Sequence, residues 1–120
     1  MSLDRSVDAV IQAQCKAWND GDMQGFLAHV SADVVYVTPN GLVQGREALE
    51  EAYRGDWRSK PGGTLTVEVE QIMDHGNAVT VVVQYWLSGS AEDRSGWSLL
   101  TFSANGDRWE LIADATMRKA

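Results

Sequence analysis

The feature that most restricts the possible folds is the strand-rich second half of the sequence. Two pairs of long strand patterns each enclose a two-residue turn signal: residues 64–74 and 77–87 around His75-Gly76, and residues 96–104 and 107–117 around Asn105-Gly106. Asn-Gly between apolar runs is the strongest local signal for a β-hairpin, because both residue types tolerate a positive φ. We therefore predict two successive hairpins that belong to one curved, mainly antiparallel sheet.

The first half of the sequence carries helical patterns instead. Apolar residues recur at the helical spacing over residues 3–19, and Gly21 is well placed to end that helix. Asp22 is a candidate N-cap for a second, short helix. A third helix is predicted over about residues 46–54, followed by a glycine-rich loop over residues 55–63. Helices followed by an antiparallel meander indicate an α+β fold, with the helices on one face of the sheet.

A short stretch between these two halves joins a helical pattern to a strand pattern. The β-branched run at residues 34–38 is interrupted by Pro39-Asn40-Gly41 and restarts at Leu42-Val43, before a third helix begins near Arg46. A strand that breaks in this way delivers side chains to the edge of a sheet. We expect this stretch to line a pocket.

Composition excludes several classes of function. The 120-residue length and 44% hydrophobic content predict a single domain, residues 1–120, with a core of its own. A net charge of −7 argues against nucleic acid or an anionic membrane surface as a partner. With Cys15 as the only cysteine and His29 and His75 far apart, we expect no disulfide, metal site or cofactor. No leader or membrane-spanning run is apparent, which favours a cytoplasmic protein.

The hairpin turns also predict which side chains share a face of the sheet. Pairing centred on the two turns places Phe102 opposite Trp109 and Val69 opposite Val82, and we predict that this nearly uncharged side faces the helices. Neutral polar residues predicted on the same side are Gln71, Thr80, Gln84 and Ser98. The other side carries an apolar stripe with a charged rim, which is typical of a homodimer interface. Its predicted apolar residues are Val79, Val81, Val83, Tyr85, Trp97 and Leu99.

A β-bulge would change this assignment. One extra residue in a strand reverses the faces of every side chain beyond it, and bulges are common in strongly curved sheets. Asp114 is the residue for which this matters most. It faces outward in the register given above, but a bulge that turned it inward would make it the best candidate for a general base.

Four motifs stand in order along the chain: AWNDGD at residues 17–22, ADVVYVTPNG at 32–41, GREAL at 45–49 and NGDRWELIAD at 105–114. Together they resemble the nuclear-transport-factor-2-like superfamily, in its ketosteroid-isomerase-like and SnoaL-like (polyketide cyclase-like) branch. The resemblance covers nearly the whole chain. It implies a cone-shaped curved sheet that encloses an apolar cavity, with three N-terminal helices on its concave face, usually in a homodimer built on the outer face of the sheet.

The catalytic residues of steroid isomerases in this superfamily are not retained at the matching positions. The resemblance places Thr38 where those enzymes have a general-base aspartate, Gln14 where they have a tyrosine, and Ser98 where they have a protonated aspartate. A threonine hydroxyl cannot remove a proton next to a carbonyl at neutral pH. The histidine that many SnoaL-like relatives carry in the last strand is also replaced, since this strand reads Ala113-Asp114-Ala115.

Three functions remain compatible with the sequence. The first is a homodimeric protein that binds a small apolar or moderately polar molecule in a neutral pocket. The predicted lining is Gln14, Trp18, Tyr36, Thr38, Tyr53, Trp57, Trp86, Ser98 and Phe102. The second is an isomerase, cyclase or dehydratase acting on an enolisable apolar substrate, with Asp33 or Asp114 as base and Thr38 as a further catalytic candidate. The third is a non-catalytic association domain. The predicted inner face carries no carboxylate, which favours the first.

Overall fold

The computed structural model describes residues 3–38, 41–59, 64–89 and 93–119, with side chains described at 7–38, 41–54, 64–89 and 93–119. The described residues form three helices and six strands, in the order α1 (Leu3–Asn19), α2 (Met23–Leu27), β1 (Val30–Thr38), β2 (Gly41–Gln44), α3 (Arg46–Ser59), β3 (Thr64–Asp74), β4 (Ala78–Ser88), β5 (Arg94–Asn105) and β6 (Arg108–Arg118). Pro39 and Asn40, predicted to interrupt the first strand, lie outside the described residues.

The ends of the first two helices follow from local chemistry. The α1 helix ends as predicted at a left-handed glycine, Gly21, whose φ is 71°. Asp22 then caps α2, because its carboxylate accepts a hydrogen bond of 2.9 Å from the Gly25 amide. These two residues fix the angle at which the chain leaves α1 and turns toward the sheet.

The third helix is longer than predicted. It runs to Ser59, whereas the sequence pattern placed its end near Arg54 and a loop after it. A single glycine inside a helix costs about 1 kcal/mol relative to alanine, which is too little to end it. The ion pair between Glu50 and Arg54, one turn apart, supports the helix just before Gly55. Leu49 and Tyr53 are buried as expected, but Ala52 is exposed.

All six strands form one open mixed sheet in the order β2-β1-β6-β5-β4-β3. Strands β1 and β6 run parallel, and the other neighbours are antiparallel. The helices pack on one face, which we call the concave face, and the opposite face is called convex. The core between them combines Val7, Ile11, Leu27, Leu49 and Tyr53 from the helices with Val34, Val79, Val81, Val83, Leu100, Phe102, Trp109 and Leu111 from the sheet. The fold is therefore α+β as predicted, with an open sheet.

Both hairpin turns are displaced from the predicted positions. In the second hairpin Asn105 pairs with Arg108, so Gly106 and Asp107 form the turn, and Gly106 takes a φ of 64°. In the first, Asp74 pairs with Val79. The Asp74 carboxylate accepts a hydrogen bond of 2.8 Å from the Gly76 amide, a local turn that lengthens the connection. The predicted cross-strand partners are correspondingly wrong.

Two β-bulges then change which side chains share a face. One shifts the β3–β4 register between Val69 and Gln71, and the other shifts the β5–β6 register so that Phe102 pairs with Leu111 but Thr101 pairs with Ala113. Ile112 is the extra residue in β6. Because side chains alternate along a strand, every residue of β6 after Ile112 lies on the opposite face from the one predicted.

The predicted outer face is consequently wrong for β4. Val79, Val81 and Val83 are 0%, 0% and 2% exposed and face the helices, with Tyr85 on the same side. The polar residues predicted inside, Gln71, Thr80 and Gln84, pair with convex-face neighbours instead. The turn positions could not reveal this, because the pairing of β4 with β5 depends on the longer connection at residues 89–93. Trp97 and Leu99 are on the convex face as predicted, and are 39% and 46% exposed.

Candidate functional site

A cavity of about 590 Å³, open to solvent, lies between the helices and the concave face of the sheet. Its volume is in the range of sites that hold small organic molecules. Apolar side chains form much of its wall, among them Ile11, Phe26, Val43, Leu65, Val67, Val83, Leu87, Leu100 and Leu111. Polar and charged side chains interrupt this wall at a few places, and those residues decide what the cavity can do.

The structure brings most of the predicted ligand-binding residues to this cavity. Six line it: Gln14, Trp18, Tyr36, Thr38, Tyr53 and Ser98. Two do not: Phe102 is fully buried in the core, and Trp86 pairs with Ser95 and Thr66 among the convex-face residues. Trp86 is misplaced because the register of β4 differs from the predicted one. Trp57 belongs to α3, and its side chain lies outside the described residues.

Aromatic rings form the helical side of the cavity. Tyr53 of α3 is their centre, with ring centroids 5.1 Å from Trp18, 5.3 Å from Phe26 and 5.8 Å from Tyr36. The first two pairs are nearly perpendicular, which is a favourable edge-to-face arrangement. These contacts join α1, α2, α3 and β1, so the wall is built by four elements.

Gln14 projects from the middle of α1 and is only 6% exposed. Its amide nitrogen donates a hydrogen bond of 3.3 Å to the carbonyl oxygen of Phe26. Among the described residues, no hydrogen bond reaches its amide oxygen. A buried acceptor without a partner is costly, and here it belongs to a residue of the cavity wall. Gln14 therefore offers a hydrogen-bond acceptor to a bound molecule.

Asp114 faces the cavity because of the β6 bulge. It pairs with Leu100 on one side and with Tyr36 on the other, both of which also line the cavity. Protein surrounds its carboxyl group, although the residue as a whole is only half-buried. Burial raises the pKa of Asp114 from 3.8 to about 7, although a hydrogen bond from Thr116 opposes the rise. This carboxyl group exchanges its proton near neutral pH.

A hydrogen-bonded chain leads to the Asp114 carboxylate. The Thr116 hydroxyl donates to Asp114 Oδ1 at 3.0 Å, and the Ser98 and Thr116 hydroxyl oxygens are 2.9 Å apart. Since Thr116 has one proton and gives it to Asp114, Ser98 is the donor in the second bond. Ser98 thus holds Thr116 in place, and Thr116 orients the carboxyl group.

The other two catalytic candidates lie in different surroundings. Asp33 has an exposed side chain on β1 and is not part of the cavity wall, and its amide donates to the Ser31 hydroxyl at 3.2 Å. Thr38 lines the cavity, where its hydroxyl donates to the Gly41 carbonyl oxygen at 3.0 Å. The hydrogen-bonded position of Thr38 near the strand break makes it a wall residue rather than a base.

A second group of polar residues, which the sequence did not reveal as a site, lies farther along the sheet. Arg94, Arg118 and Tyr85 line the cavity beside Gly96 of β5. A Cβ atom on Gly96 would lie 2.9 Å from the Tyr85 phenol oxygen and would also clash with the Met117 carbonyl oxygen. Glycine is therefore required for the Tyr85 ring to lie against the sheet. The expectation of a neutral pocket is wrong, since Asp114 and two arginines belong to its wall.

The described residues contain no cluster of three or more histidine, cysteine, aspartate or glutamate side chains able to hold a metal ion. The lone cysteine, Cys15, also lines the cavity and donates a hydrogen bond of 3.2 Å to the Leu65 carbonyl oxygen. Burial raises the pKa of the Cys15 thiol, so the thiol stays protonated near neutral pH. Within the described part of the chain, no helix is long and apolar enough to cross a membrane.

Solved structures labelled NTF2-like share this fold of three helices packed on an open mixed sheet. An NTF-2-like protein of unknown function from Shewanella oneidensis MR-1 matches with a TM-score of 0.86 and 20% identity, over 96% of this chain and 98% of that one. A ketosteroid isomerase-like protein from Erwinia carotovora atroseptica matches with a TM-score of 0.82 and 15% identity, over 97% and 95%. These identities support a shared fold alone.

A third solved structure, provisionally named a scytalone dehydratase, comes from Novosphingobium aromaticivorans. It matches with a TM-score of 0.82 and 14% identity, over 97% of this chain and 83% of that one. The comparison with curated proteins gave no significant match. The family model described as SnoaL-like domain matches residues 11–112, so the chain belongs to the SnoaL-like domain family.

Proposed function

We propose that this protein is an enzyme that transfers a proton to or from a carbon next to a carbonyl group of a small organic substrate. The observation that carries this proposal is the Asp114 carboxyl group, which faces an apolar cavity with a pKa of about 7. A general base works best when its pKa is near the working pH, because it is then both available and strong enough. An isomerase, cyclase or dehydratase would use such a step.

The proton transfer can be followed from the residues of the wall. Ionised Asp114 takes the proton from the carbon and becomes neutral, while the electron pair of the C–H bond moves to the carbonyl oxygen as an enolate. Tyr36 stands beside Asp114 on the neighbouring strand, and its phenol is a candidate donor to that oxygen. Return of the proton from Asp114 to another carbon completes an isomerisation.

The first test needs no substrate. We expect the Asp114 carboxyl carbon, followed by NMR during a pH titration, to change its chemical shift with a midpoint near 7. The Asp114→Asn variant identifies the signal by its loss. A midpoint near 4, the ordinary value for an aspartate, would contradict the proposed role.

The second test measures the chemistry. We expect the protein to accelerate exchange of the α-protons of bicyclic ketones such as 2-tetralone in deuterated water, and Asp114→Asn to abolish the acceleration. Loss of a general base lowers such rates by about 100-fold or more. Asp33→Asn, which removes an exposed carboxylate of β1, is the matched control and should leave the rate unchanged. Equal rates for Asp114→Asn and the unmodified protein would exclude Asp114 as the base.

A ligand-binding protein without chemistry is the second candidate. It is favoured by Gln14, Thr38 and Ser98, which line the cavity at the places where the resemblance to steroid isomerases puts catalytic residues. Under this alternative, a bicyclic ketone binds in the cavity, but the protein does not accelerate exchange of its α-protons. The third possibility, an association domain with a filled interior, does not account for a cavity of about 590 Å³.

We also propose a homodimer in the cytoplasm, built on the convex face. The supporting observation is a group of exposed large apolar residues on that face, Trp97, Leu99 and Met117. Trp97 pairs across the strands with Met117, and Leu99 pairs with Ala115. Val79, Val81 and Val83 are excluded from this interface because they are buried beneath the helices. Tyr85 is excluded as well, since it lines the cavity.

A further inference from the structure

We infer that the substrate is an organic anion whose carboxylate, or a group of similar charge, is bound by Arg94 and Arg118. This inference rests on the proposed small-molecule site and deepens it. The proposed chemistry at Asp114 requires only an enolisable carbon, so it leaves open what else the molecule carries. The two arginines answer that question, because they line the same cavity in a protein whose net charge is −7.

The position of the arginines follows from the alternation of side chains along β6. Asp114, Thr116 and Arg118 are separated by two residues each, and all three line the cavity. Alternate residues of a strand are about 7 Å apart on one face. The reactive carboxyl, a hydroxyl and a guanidinium therefore form a row along one strand of the concave face, in that order.

Arg94 joins this row from β5. Arg118 of β6 pairs with Gly96 of β5, and Gly96 pairs with Tyr85 of β4. Arg94, two residues before Gly96 on β5, pairs with Leu87 of β4. Burial raises the pKa of Tyr85, both guanidinium groups lower it, and the Asp114 carboxylate raises it, so all three charged groups act on the same phenol. Two cations beside one half-buried hydroxyl of a cavity wall form a binding site for an anion, with the phenol as a third donor.

Glycine at position 96 allows the Tyr85 phenol to lie against the sheet beside the cavity. Any side chain there would meet the Tyr85 ring and the backbone of β6. Asp114 also lines the cavity, and its backbone lies about 14 Å from that of Arg118 along the strand. That separation suits a molecule with its anionic group at one end and its reactive carbon at the other.

The test compares 2-naphthoate with 2-naphthamide, which have similar shape and differ in charge. Binding of each is measured by ligand-observed NMR titration at low salt. We expect 2-naphthoate to bind about 10-fold more tightly than 2-naphthamide, and this preference to shrink as salt is added. Arg94→Gln and Arg118→Gln should each weaken 2-naphthoate binding several-fold, and the double variant should remove the preference, while 2-naphthamide binding stays unchanged.

Lys119→Gln is the matched control. It removes the same charge one residue away, but Lys119 lies over the Trp97 ring, 5.4 Å from its centroid, on the convex face. Its 2-naphthoate affinity should equal that of the unmodified protein. Equal affinities for the two probes, a preference that survives in the double variant, or an equal loss in Lys119→Gln would overturn the inference. Absence of binding by either probe would overturn it as well.

This outcome is separable from the test of Asp114. If 2-naphthoate shows no preference but the Asp114 carboxyl titrates near 7, the anion site is wrong and the proposed chemistry stands. If the preference is found and the Asp114 carboxyl titrates near 4, the anion site stands and the proposed chemistry is wrong. The Asp114→Asn variant should still prefer 2-naphthoate, because the arginines remain.

Discussion

At the level of single residues, the chemistry of the cavity depends on one carboxyl group whose surroundings decide its charge. Asp114 is surrounded by protein, and one hydrogen bond from Thr116 stabilises its ionised form. Burial outweighs that bond, so the proton is held up to a pH of about 7. Burial raises the pKa of Asp114 into the range useful for a base. For the same reason, ionisation of Asp114 lowers the free energy of unfolding of the protein.

The cost can be measured through stability. The folded-state pKa of Asp114 lies above the ordinary value of 3.8, so the folded protein loses stability as the pH rises from about 4 to about 7. Asp114→Asn removes this loss. We expect it to raise the free energy of unfolding by on the order of 3 kcal/mol above neutral pH, and to change it little near pH 4. Urea unfolding at a series of pH values measures the difference.

Asp33→Asn serves as the control for this experiment, because its carboxylate is exposed on the same sheet. It should leave the pH dependence of stability unchanged. Parallel pH profiles for Asp114→Asn and the unmodified protein would show that the Asp114 pKa is close to its ordinary value.

Thr116 gives a second test at this scale. Its hydroxyl lowers the pKa of Asp114 by stabilising the carboxylate, so Thr116→Val should move the Asp114 titration midpoint further above 7. NMR titration of the carboxyl carbon measures the shift, and proton exchange should then reach its maximum at a higher pH. Thr66→Val, at an exposed position of β3, is the matched control. A midpoint that stays in place would mean that Thr116 does not orient the carboxylate.

At the level of elements, the Asn19 side chain links α1 to the edge strand β3. Its amide group forms the pair of hydrogen bonds that a neighbouring strand would otherwise form. Asn19 donates through its amide nitrogen to the Leu65 carbonyl oxygen at 2.9 Å, and its amide oxygen accepts from the Leu65 amide at 2.7 Å. Strand β3 is an edge strand, so these two backbone groups have no strand partner on that side. The pair also holds Cys15, one turn earlier, against the same carbonyl.

Removing this link should loosen α1 from β3. We expect Asn19→Ala to lower the free energy of unfolding by about 1 kcal/mol, since two solvent-accessible hydrogen bonds are replaced by bonds to water. Hydrogen exchange should speed up for the Leu65 amide in particular. Asn77→Ala, an exposed asparagine in the β3–β4 connection, should change neither quantity. Unchanged exchange at Leu65 would show that the link carries no stability.

The elements themselves were largely predictable from local chemistry. The bounds of α1 follow its apolar stripe and Gly21, and Asp22 caps α2 as its position suggested. The buried glutamine of the site, Gln14, was visible as a polar residue within an apolar stripe. Each of these signals lies within a few residues of the structure it specifies, which is why a sequence pattern reveals it.

The contents of the concave face were not predictable in the same way. Whether Asp114 faces the cavity depends on Ile112 being an extra residue in β6, and no local signal distinguishes Ile112 from an ordinary strand residue. Arg94 and Arg118 line the same cavity because β5 pairs with β6, at a register set by a turn and a bulge together. A one-residue shift in register changes the face of every residue beyond it, so one unrecognised bulge is enough to misplace these residues.

At the level of the whole molecule, the two faces of the sheet differ in how much apolar surface they expose. The helices cover the concave face, whereas the convex face exposes Trp97, Leu99 and Met117, the last of these 69% exposed. Contiguous apolar surface of this kind is typical of protein interfaces. The proposed second copy of the chain would cover it.

A charge placed in this surface should prevent association. We expect the unmodified protein to be a dimer at micromolar concentration and Trp97→Glu to be a monomer with the same helical content, because a buried carboxylate is costly to desolvate. Light scattering and circular dichroism measure the two properties. Gln24→Glu, on the exposed side of α2, is the control and should remain a dimer. A monomeric unmodified protein would contradict the proposed interface.

The bulge at Ile112 has a consequence for how proteins of this shape can change their chemistry. The bulge determines which alternate residues of β6 point to the cavity. The cavity wall therefore depends on the number of residues in the strand as well as on their types. A deletion of one codon at Ile112 would exchange Asp114, Thr116 and Arg118 for Ala113, Ala115 and Met117 at the cavity wall. Insertions and deletions could therefore switch a site on or off in a single genetic event, with no substitution of any residue that performs the chemistry.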